Sequence, residues 1–418
     1  MIVTSHPVLA LALLSIGAGG AWQEDRTFAY RLEEVTTARI SGVPDMNTMD
    51  VEAADLDGDG DLDLVTAQEF RLNVALRNDG GRFSPWNIFA PLPAQALAAG
   101  PPQLRFPGAG HDSEDVSIAD FNGDGALDIV IVSEDDVKFG RTNVHELYLG
   151  GAGGFTRADG VLLDTEANAV AHADVDGDGD PDLLIVGAGQ DRLLINDGRA
   201  GFADETAARL PREAATGQDA EFADLDGDGD LDLVLGLEGG HSLWLNDGAG
   251  RFSDATDRLP EAGNVEARKV APVDVDGDGD LDLYFSHVGW QGRAPQDRLF
   301  LNDGRGGFTD VTSERLPRET GTTLDARFAD LDGDGDLDMV RADIGPVTIW
   351  ANDGQGRFTD VTDQVLTGNI AGPNVAIEIQ DFDGDGVLDI YVGQLKGPQG
   401  GPEIRDRLLL GRRSAPEA

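Results

Sequence analysis

Residues 54–65 read ADLDGDGDLDLV, and residues 223–234 repeat the same letters. Residues 329–340 differ from them only at Met339. In each stretch, aspartates alternate with small or apolar residues and lead into an apolar run typical of a β-strand. An acidic loop followed by a strand is therefore a recurring unit, and the chain is interpreted first as a repeat protein.

The acidic stretch occurs seven times, at intervals of 50 to 65 residues. A second apolar run follows each one, and in four repeats an Asn-Asp-Gly turn then leads to a run that begins with Phe, as in NDGRGGFTDVT at 302–312. An alternating run also precedes each loop, so the unit holds four short strands. Four strands in about fifty residues are typical of a propeller blade. The loops begin at Asp55, Asp120, Asp174, Asp224, Asp274, Asp330 and Asp381.

The pattern predicts an all-β fold, a seven-bladed β-propeller of four-stranded blades over residues 22–412. The early segment FAYRLEEVT (28–36) is similar to the Phe-led fourth strand, whereas RLLLGRR (407–413) has no fourth strand after it. We therefore expect the N-terminal strand to close the last blade, which pairs an otherwise open edge. Residues 413–418 are interpreted as a short C-terminal tail.

Composition excludes several classes of protein. The 418 residues include 78 acidic and 31 basic side chains, giving a formal net charge of −47. This charge argues against nucleic acid or an anionic membrane as a partner. A hydrophobic content of 40% in regularly spaced runs argues against disorder. Because the chain has no cysteine, disulfides and thiolate metal sites are excluded.

The N-terminus resembles an export signal. Residues 7–17 form a short apolar stretch, and small residues follow up to Ala21. This pattern predicts a signal peptide at 1–21, although no Lys or Arg precedes the apolar stretch. The alternative is an ordinary N-terminal extension. No later segment is apolar enough for a transmembrane helix, so we expect a secreted, periplasmic or cell-surface protein.

The acidic loop has the composition of a cation site. In the first loop, positions 1, 3, 5 and 9 are Asp, and position 6 is Gly60, which permits a sharp turn. Carboxylates ~5 Å apart repel by roughly 3 kcal/mol at an effective dielectric near 20, so the cluster requires a cation or protonation. Oxygen ligands alone point to a hard cation, and Ca²⁺ suits a flexible set of carboxylates better than Mg²⁺. Position 7 is expected to use its carbonyl group, with its side chain in solvent.

The predicted metal ligands are the residues at positions 1, 3, 5, 7 and 9 of all seven loops. They are Asp55, Asp57, Asp59, Asp61 and Asp63; Asp120, Asn122, Asp124, Ala126 and Asp128; Asp174, Asp176, Asp178, Asp180 and Asp182; Asp224, Asp226, Asp228, Asp230 and Asp232; Asp274, Asp276, Asp278, Asp280 and Asp282; Asp330, Asp332, Asp334, Asp336 and Asp338; Asp381, Asp383, Asp385, Val387 and Asp389.

These loops resemble the FG-GAP/VCBS family of calcium-binding propeller repeats, best known from the integrin α-subunit head. The resemblance covers about residues 28–411 and rests on the pattern Asp-x-Asp-x-Asp-Gly-x-x-Asp followed by a strand. It implies that Ca²⁺ ties the loop between the first two strands of a blade, with up to seven ions in this chain. The pattern differs from an EF-hand, because position 12 of the first loop is Thr66, inside a predicted strand.

Ligand recognition is expected on the face opposite the acidic loops, where the insertions vary most. Trp290 and Arg293, in the insertion at 288–296, are the candidate ligand-binding residues. The innermost strands offer a second candidate, a charged central funnel. Its residues are Asp50, Glu52, Asp115, Asp219, Glu221, Lys269, Asp325, Arg327 and Glu378.

The predicted function is a calcium-stabilised binding or adhesion module for a protein or a polysaccharide, expected to act as a monomer. The chain contains none of the common hydrolase, metalloprotease or nucleotide-binding motifs. The alternative is a carbohydrate-active enzyme, a polysaccharide lyase or hydrolase built on the same propeller. That chemistry would need a base at the funnel, for example His111 or Lys269.

Overall fold

The computed structural model describes residues 30–42, 46–89, 110–212, 214–261, 263, 265–289, 295–318, 321–366, 368, 370–395 and 406–413. The described part of the chain is all-β, with antiparallel strands and only short helical turns. The predicted signal peptide and most of the C-terminal tail lie outside these ranges.

Five sheets have four strands each, and within each sheet every strand pairs with the next one along the chain. These sheets are β2 (Thr48–Ala54), β3 (Asp63–Gln68), β4 (Val74–Asn78) and β5 (Phe83–Trp86); β6 (Ser113–Ala119), β7 (Asp128–Ser133), β8 (Glu146–Leu149) and β9 (Thr156–Arg157); β10 (Ala169–Ala173), β11 (Asp182–Val186), β12 (Arg192–Asn196) and β13 (Phe202–Asp204); β14 (Gly217–Ala223), β15 (Asp232–Leu237), β16 (Gly240–Asn246) and β17 (Phe252–Asp254); β18 (Glu266–Val273), β19 (Asp282–Val288), β20 (Arg298–Asn302) and β21 (Phe308–Asp310).

The sixth sheet has eight strands and combines two four-stranded units. One unit is β22 (Thr323–Ala329), β23 (Asp338–Pro346), β24 (Thr348–Asn352) and β25 (Phe358–Asp360); the other is β26 (Ala371–Gln380), β27 (Asp389–Gln394), β28 (Arg407–Arg413) and β1 (Tyr30–Glu34). The two units join because the extended ends of β23 and β26 pair from Ile344 to Pro346. The sequence repeats did not indicate this continuity.

The first strands of successive units contact one another in a closed cycle from β2 to β26 and back to β2. The hydrophobic core lies between neighbouring sheets. In one cluster, Leu184 and Leu193 of the third unit pack with Phe222 and Trp244 of the fourth. This arrangement is the predicted propeller of four-stranded antiparallel sheets.

The predicted closure by the N-terminal strand is confirmed. Strand β1 pairs antiparallel with β28, with Tyr30 opposite Arg413 and Glu34 opposite Leu409. Tyr30 and Leu32 are each 1% exposed, and the Tyr30 hydroxyl donates to the Leu388 carbonyl oxygen at 2.7 Å. The edge of β28 is thus covered by a strand from the other end of the chain.

Short helical turns follow several of the outer strands. These turns span Thr36–Arg39, Thr206–Arg209, Thr256–Arg258, Thr312–Arg315 and Thr362–Val365, and another, Val137–Phe139, lies between β7 and β8. Among the described residues, no helix has the length and apolar character needed to cross a membrane.

Candidate metal centres

Each acidic loop closes around the carboxylate at position 1. In the first loop, Asp55 Oδ1 accepts hydrogen bonds from the backbone N–H groups of Gly58 (2.8 Å) and Asp59 (3.1 Å), and Oδ2 accepts one from Gly60 (3.1 Å). Gly60 has φ +97°, and a Cβ built there meets no atom within 4 Å. Backbone conformation, rather than crowding, therefore requires glycine at position 6.

The carboxylate at position 9 begins the second strand of its unit and is buried. In the fourth unit, Asp232 is fully buried, and its Oδ1 and Oδ2 accept backbone N–H groups of Asn246 (2.9 Å) and Leu225 (3.1 Å). Burial raises the pKa of Asp232 to about 7. The other position-9 carboxyls share this cause, with pKa values of about 6 for Asp63 and Asp128, about 7 for Asp182, Asp282 and Asp389, and about 8 for Asp338.

Carboxylates from positions 1, 3 and 9 converge on one point. In at least four loops, one oxygen from each of the three residues lies within 4.8 Å of the other two. These groups are Asp55, Asp57 and Asp63; Asp174, Asp176 and Asp182; Asp224, Asp226 and Asp232; Asp274, Asp276 and Asp282. The predicted alternation of aspartates thus brings three of the five predicted ligand positions together in each of these loops.

The position-3 carboxylates contain buried oxygens that suit a cation. The Oδ1 atoms of Asp176, Asp226, Asp276 and Asp383 are buried and accept no hydrogen bond from any residue in the described ranges. Three converging carboxylates with an unsatisfied oxygen fit a hard divalent ion such as Ca²⁺. In the second loop, the equivalent oxygen comes from the Asn122 amide, which also accepts the Asp124 N–H at 2.9 Å.

Side chains at positions 5 and 7 stay outside this triad. Asp59 Oδ2 lies 3.1 Å from Arg77 Nη2, and Asp61 Oδ2 accepts the Gly80 N–H at 2.9 Å. Asp180, at position 7 of the third loop, packs in the same way against the glycine of the following turn. A Cβ atom added to Gly198 would lie only 2.4 Å from Asp180 Oδ2. The position-7 aspartates thus contact the neighbouring turn instead of projecting into solvent as expected.

The asparagine of the Asn-Asp-Gly turn, predicted as a turn residue, also joins two acidic loops. Asn302 donates its backbone N–H to Asp282 Oδ1 (2.9 Å), and its amide group to the carbonyl oxygens of Leu281 (2.9 Å) and Leu225 (2.8 Å). Leu225 is position 2 of the preceding unit's acidic loop. Asn78, Asn196, Asn246 and Asn352 repeat this bridge.

Arginines of the helical turns form a second link between acidic loops. Arg209 Nη2 lies 3.1 Å from Asp176 Oδ2 of its own unit, and Arg209 Nη1 donates to the Ala249 carbonyl in the turn of the next unit. Arg258 repeats the arrangement with Asp226 (3.7 Å) and the Arg305 carbonyl (3.0 Å). The sequence signal for this link is an Arg two or three residues after the Thr that follows a Phe-led strand, as in Thr206–Arg209 and Thr256–Arg258.

The candidate ligand-binding residues Trp290 and Arg293 lie outside the described residues.

The predicted funnel residues are largely buried and paired. Lys269 Nζ lies 3.2 Å from Asp219 Oδ1 and 3.6 Å from Glu221 Oε1. The aspartates Asp50, Asp115, Asp219 and Asp325 each accept a backbone N–H from the next inner strand.

The two bases named for the enzyme alternative are also buried. His111 is 1% exposed, with Nδ1 2.9 Å from Asp136 Oδ2, and Lys269 is 9% exposed. His111 is thus held in a buried pair with Asp136, whereas Lys269 lines the cavity at the centre of the inner strands and is paired with Asp219 and Glu221.

Comparisons with known proteins agree with this architecture. The sequence profile described as FG-GAP-like repeat matches residues 55–131, 174–235, 224–285, 288–341 and 330–392. No curated protein has significant sequence similarity to this chain.

Several solved structures are similar in fold. BBS1N in complex with ARL6DN, in crystals soaked with mercury, is 12% identical with a TM-score of 0.53, over 88% of this chain and 93% of that chain. The lead-soaked form is 11% identical with a TM-score of 0.51, over 90% and 94%. An Agrocybe aegerita lectin that recognises non-reducing terminal N-acetylglucosamine is 21% identical with a TM-score of 0.47, over 78% and 80%.

Proposed function

This chain belongs to the FG-GAP-like repeat family, and we propose that it is a calcium-stabilised propeller that binds a protein or polysaccharide ligand outside the cell. The observation that carries the calcium part is the convergence of carboxylates at positions 1, 3 and 9 around a buried, unsatisfied oxygen. Up to seven ions are proposed, one for each acidic loop.

Calcium supplies positive charge at the point where the three carboxylates of a loop converge. In the fifth unit, Asp274, Asp276 and Asp282 place carboxylate oxygens within 4.8 Å of one another. Burial and the neighbouring carboxylates Asp278 and Asp274 raise the pKa of Asp276. A bound cation removes this repulsion and satisfies the Asp276 Oδ1 atom.

A single substitution tests the calcium site. Asp276→Asn should lower bound calcium by one equivalent per chain, measured by equilibrium dialysis and elemental analysis. Asp257→Asn is the matched control, because Asp257 is an exposed aspartate in a helical turn outside the acidic loops. Equal calcium content in both variants and the parent would contradict the assignment.

The ligand-binding part of the proposal places recognition on the face opposite the acidic loops. The acidic loops are uniform, which suits a repeated structural task, whereas the insertions on the other face differ in length and composition. Trp290 and Arg293 remain the proposed contacts. Export, a monomeric state and adhesion are parts of the same proposal.

The calcium-loaded protein should be screened against a glycan array and a panel of extracellular proteins. Once a ligand is found, Trp290→Ala and Arg293→Ala should weaken its binding at least tenfold, or about 1.4 kcal/mol, with calcium content and melting temperature unchanged. Asp276→Ala should lower the melting temperature first. A ligand that protects the acidic loops from chemical modification and leaves 288–296 exposed would place recognition on the other face.

A further inference from the structure

A second type of carboxylate cluster lies away from the acidic loops. Asp112 and Glu114 lie at the start of β6, and Glu134 follows the end of β7. The acidic loop of this unit joins the opposite ends of the same two strands. At about 3.3 Å per residue, Asp112 and Asp120 are separated by ~26 Å of extended chain. The cluster is therefore distinct from the sites already described.

The three carboxylates are close enough to bind one ion. One oxygen from each of Asp112, Glu114 and Glu134 lies within 4.8 Å of the other two. Calcium–oxygen distances are about 2.3–2.6 Å, so two ligands of one ion are at most about 5 Å apart. The observed spacing meets this limit for all three pairs.

The buried side chain of Asp112 is a second, independent indication that a cation binds here. The residue is 3% exposed, and its Oδ1 atom accepts no hydrogen bond from any residue the structure describes. Its backbone is held firmly, because its N–H donates to Asp136 Oδ2 (2.9 Å) and its carbonyl accepts the Glu134 N–H (3.0 Å). A buried carboxylate oxygen without a donor is destabilising unless a cation or proton satisfies it.

Of two nearby basic side chains, one contacts Glu114 and the other is paired outside the cluster. Arg268 Nη2 lies 3.7 Å from Glu114 Oε2 and also donates to Gln218. Lys138 pairs with Asp135 at 2.7 Å and with Glu166 at 3.1 Å. Within the described ranges, neither Asp112 nor Glu134 forms an ion pair.

Electrostatics agree with the geometry. Burial, followed by repulsion from nearby carboxylates that include Glu114 and Glu69, raises the pKa of Asp112 to about 10. Burial also raises the pKa of Glu114 to about 8 and, together with Asp135, raises that of Glu134. Without a cation, Asp112 and Glu114 hold protons at neutral pH that a divalent ion would displace.

We propose that Asp112, Glu114 and Glu134 bind a hard divalent cation at the end of the strands opposite the acidic loops. The donors are all oxygens, which favours Ca²⁺ or Mn²⁺ over softer metals. Glu114 also lines the cavity at the centre of the inner strands, so the ion would lie beside that cavity.

Anomalous scattering tests the site directly. Crystals of the full chain grown with CaCl₂ are transferred to MnCl₂ at alkaline pH. We expect a manganese peak in contact with Asp112 and Glu134, and we expect Asp112→Asn to remove that peak while those at the acidic loops remain. A map with peaks at the acidic loops and none at this cluster would overturn the proposal, and it would leave the calcium-stabilised function intact.

Melting temperatures give a second test in solution. In chelator, Asp112→Asn should melt higher than the parent, because a buried carboxyl is replaced by a neutral amide. Calcium should raise the melting temperature of the parent by more degrees than that of this variant. Asp135→Asn is the matched control, because it removes a charge next to the cluster that is paired with Lys138, and its calcium gain should equal the parent's. Equal gains in the parent and Asp112→Asn would refute the site.

Discussion

At the residue scale, the ninth position of an acidic loop combines burial with charge. Asp232 is fully buried, yet two backbone N–H groups hold its carboxylate in place. Burial raises its pKa to about 7 despite these hydrogen bonds. The metal-free protein therefore carries several carboxyl groups that take up protons near neutral pH.

This property predicts an unusual pH dependence in chelator. The unfolded pKa of Asp is about 3.9, so the folded chain binds more protons than the unfolded chain between about pH 4 and 7. The stability from these groups is complete below about pH 4 and is lost as the pH rises through about 7. We expect the melting temperature in chelator to fall as the pH is raised from about 5 to 8.

In saturating calcium the melting temperature should no longer fall over this pH range, because ion-bound carboxylates remain ionised. Asp232→Asn provides the control, since it should reduce the slope measured in chelator. A melting temperature that is independent of pH in chelator would contradict the raised pKa values.

At the element scale, the turn after the third strand joins neighbouring units. The Asn302 amide bridges the acidic loops of its own unit and the preceding one. The position is 9% exposed, so water does not readily replace these bonds.

Asn302→Ala should therefore lower the free energy of unfolding by about 2 kcal/mol, since it leaves two buried carbonyls without donors. Asn302→Asp should lower it further, because a carboxylate would face the Leu225 and Leu281 carbonyl oxygens. Urea unfolding in saturating calcium measures both values. Arg305→Ala, an exposed change in the same turn, should stay within about 0.5 kcal/mol of the parent; an equal loss there would argue against the bridge.

The N-terminal strand offers another test at this scale. A variant that lacks residues 28–36 removes β1 and exposes the backbone edge of β28. We expect it to dimerise or aggregate and to melt lower, as measured by light scattering coupled to gel filtration. Deletion of residues 22–27 alone should have neither effect. A monomeric 28–36 deletion with unchanged melting would count against the role of β1 as a clasp.

Local sequence patterns predicted the elements better than the links between them. Apolar runs of strand length, together with turns that contain a glycine such as Gly60, predicted three features. These features are the four-stranded unit, its acidic loop and the pairing of β1 with β28. The joining of β23 to β26 depends on how far strand ends extend, and Ile344 is 50% exposed there, so no apolar pattern marks it. The sequence did not indicate the cluster of Asp112, Glu114 and Glu134, because these residues come from the ends of two different strands and form no local sequence motif.

At the scale of the whole molecule, five asparagine bridges link the acidic loops of neighbouring units in the described part of the chain. Asn78 of the first unit donates to the Phe382 carbonyl in the acidic loop of the last, and equivalent bridges join other neighbouring units. Loss of order in one loop thus removes a contact of the next unit.

Calcium removal should consequently destabilise the molecule as a whole. At ten times the dissociation constant, each independent site contributes roughly 1.4 kcal/mol, so seven sites contribute about 10 kcal/mol, comparable to the stability of a domain. We expect excess chelator to lower the melting temperature by more than about 10 °C in calorimetry. An unchanged melt with metal content confirmed as zero would refute the structural role of calcium.

The pairing of Tyr30 with Arg413 also has a consequence for the order of assembly. During synthesis β1 emerges before the other described strands of the ring, and its partner β28 emerges after them. Strand β1 therefore has no partner strand until the strands between the two have been made. Such long-range closure slows folding, because the loop entropy is lost before the final contacts form. The ring can therefore close only after β28 has been synthesised.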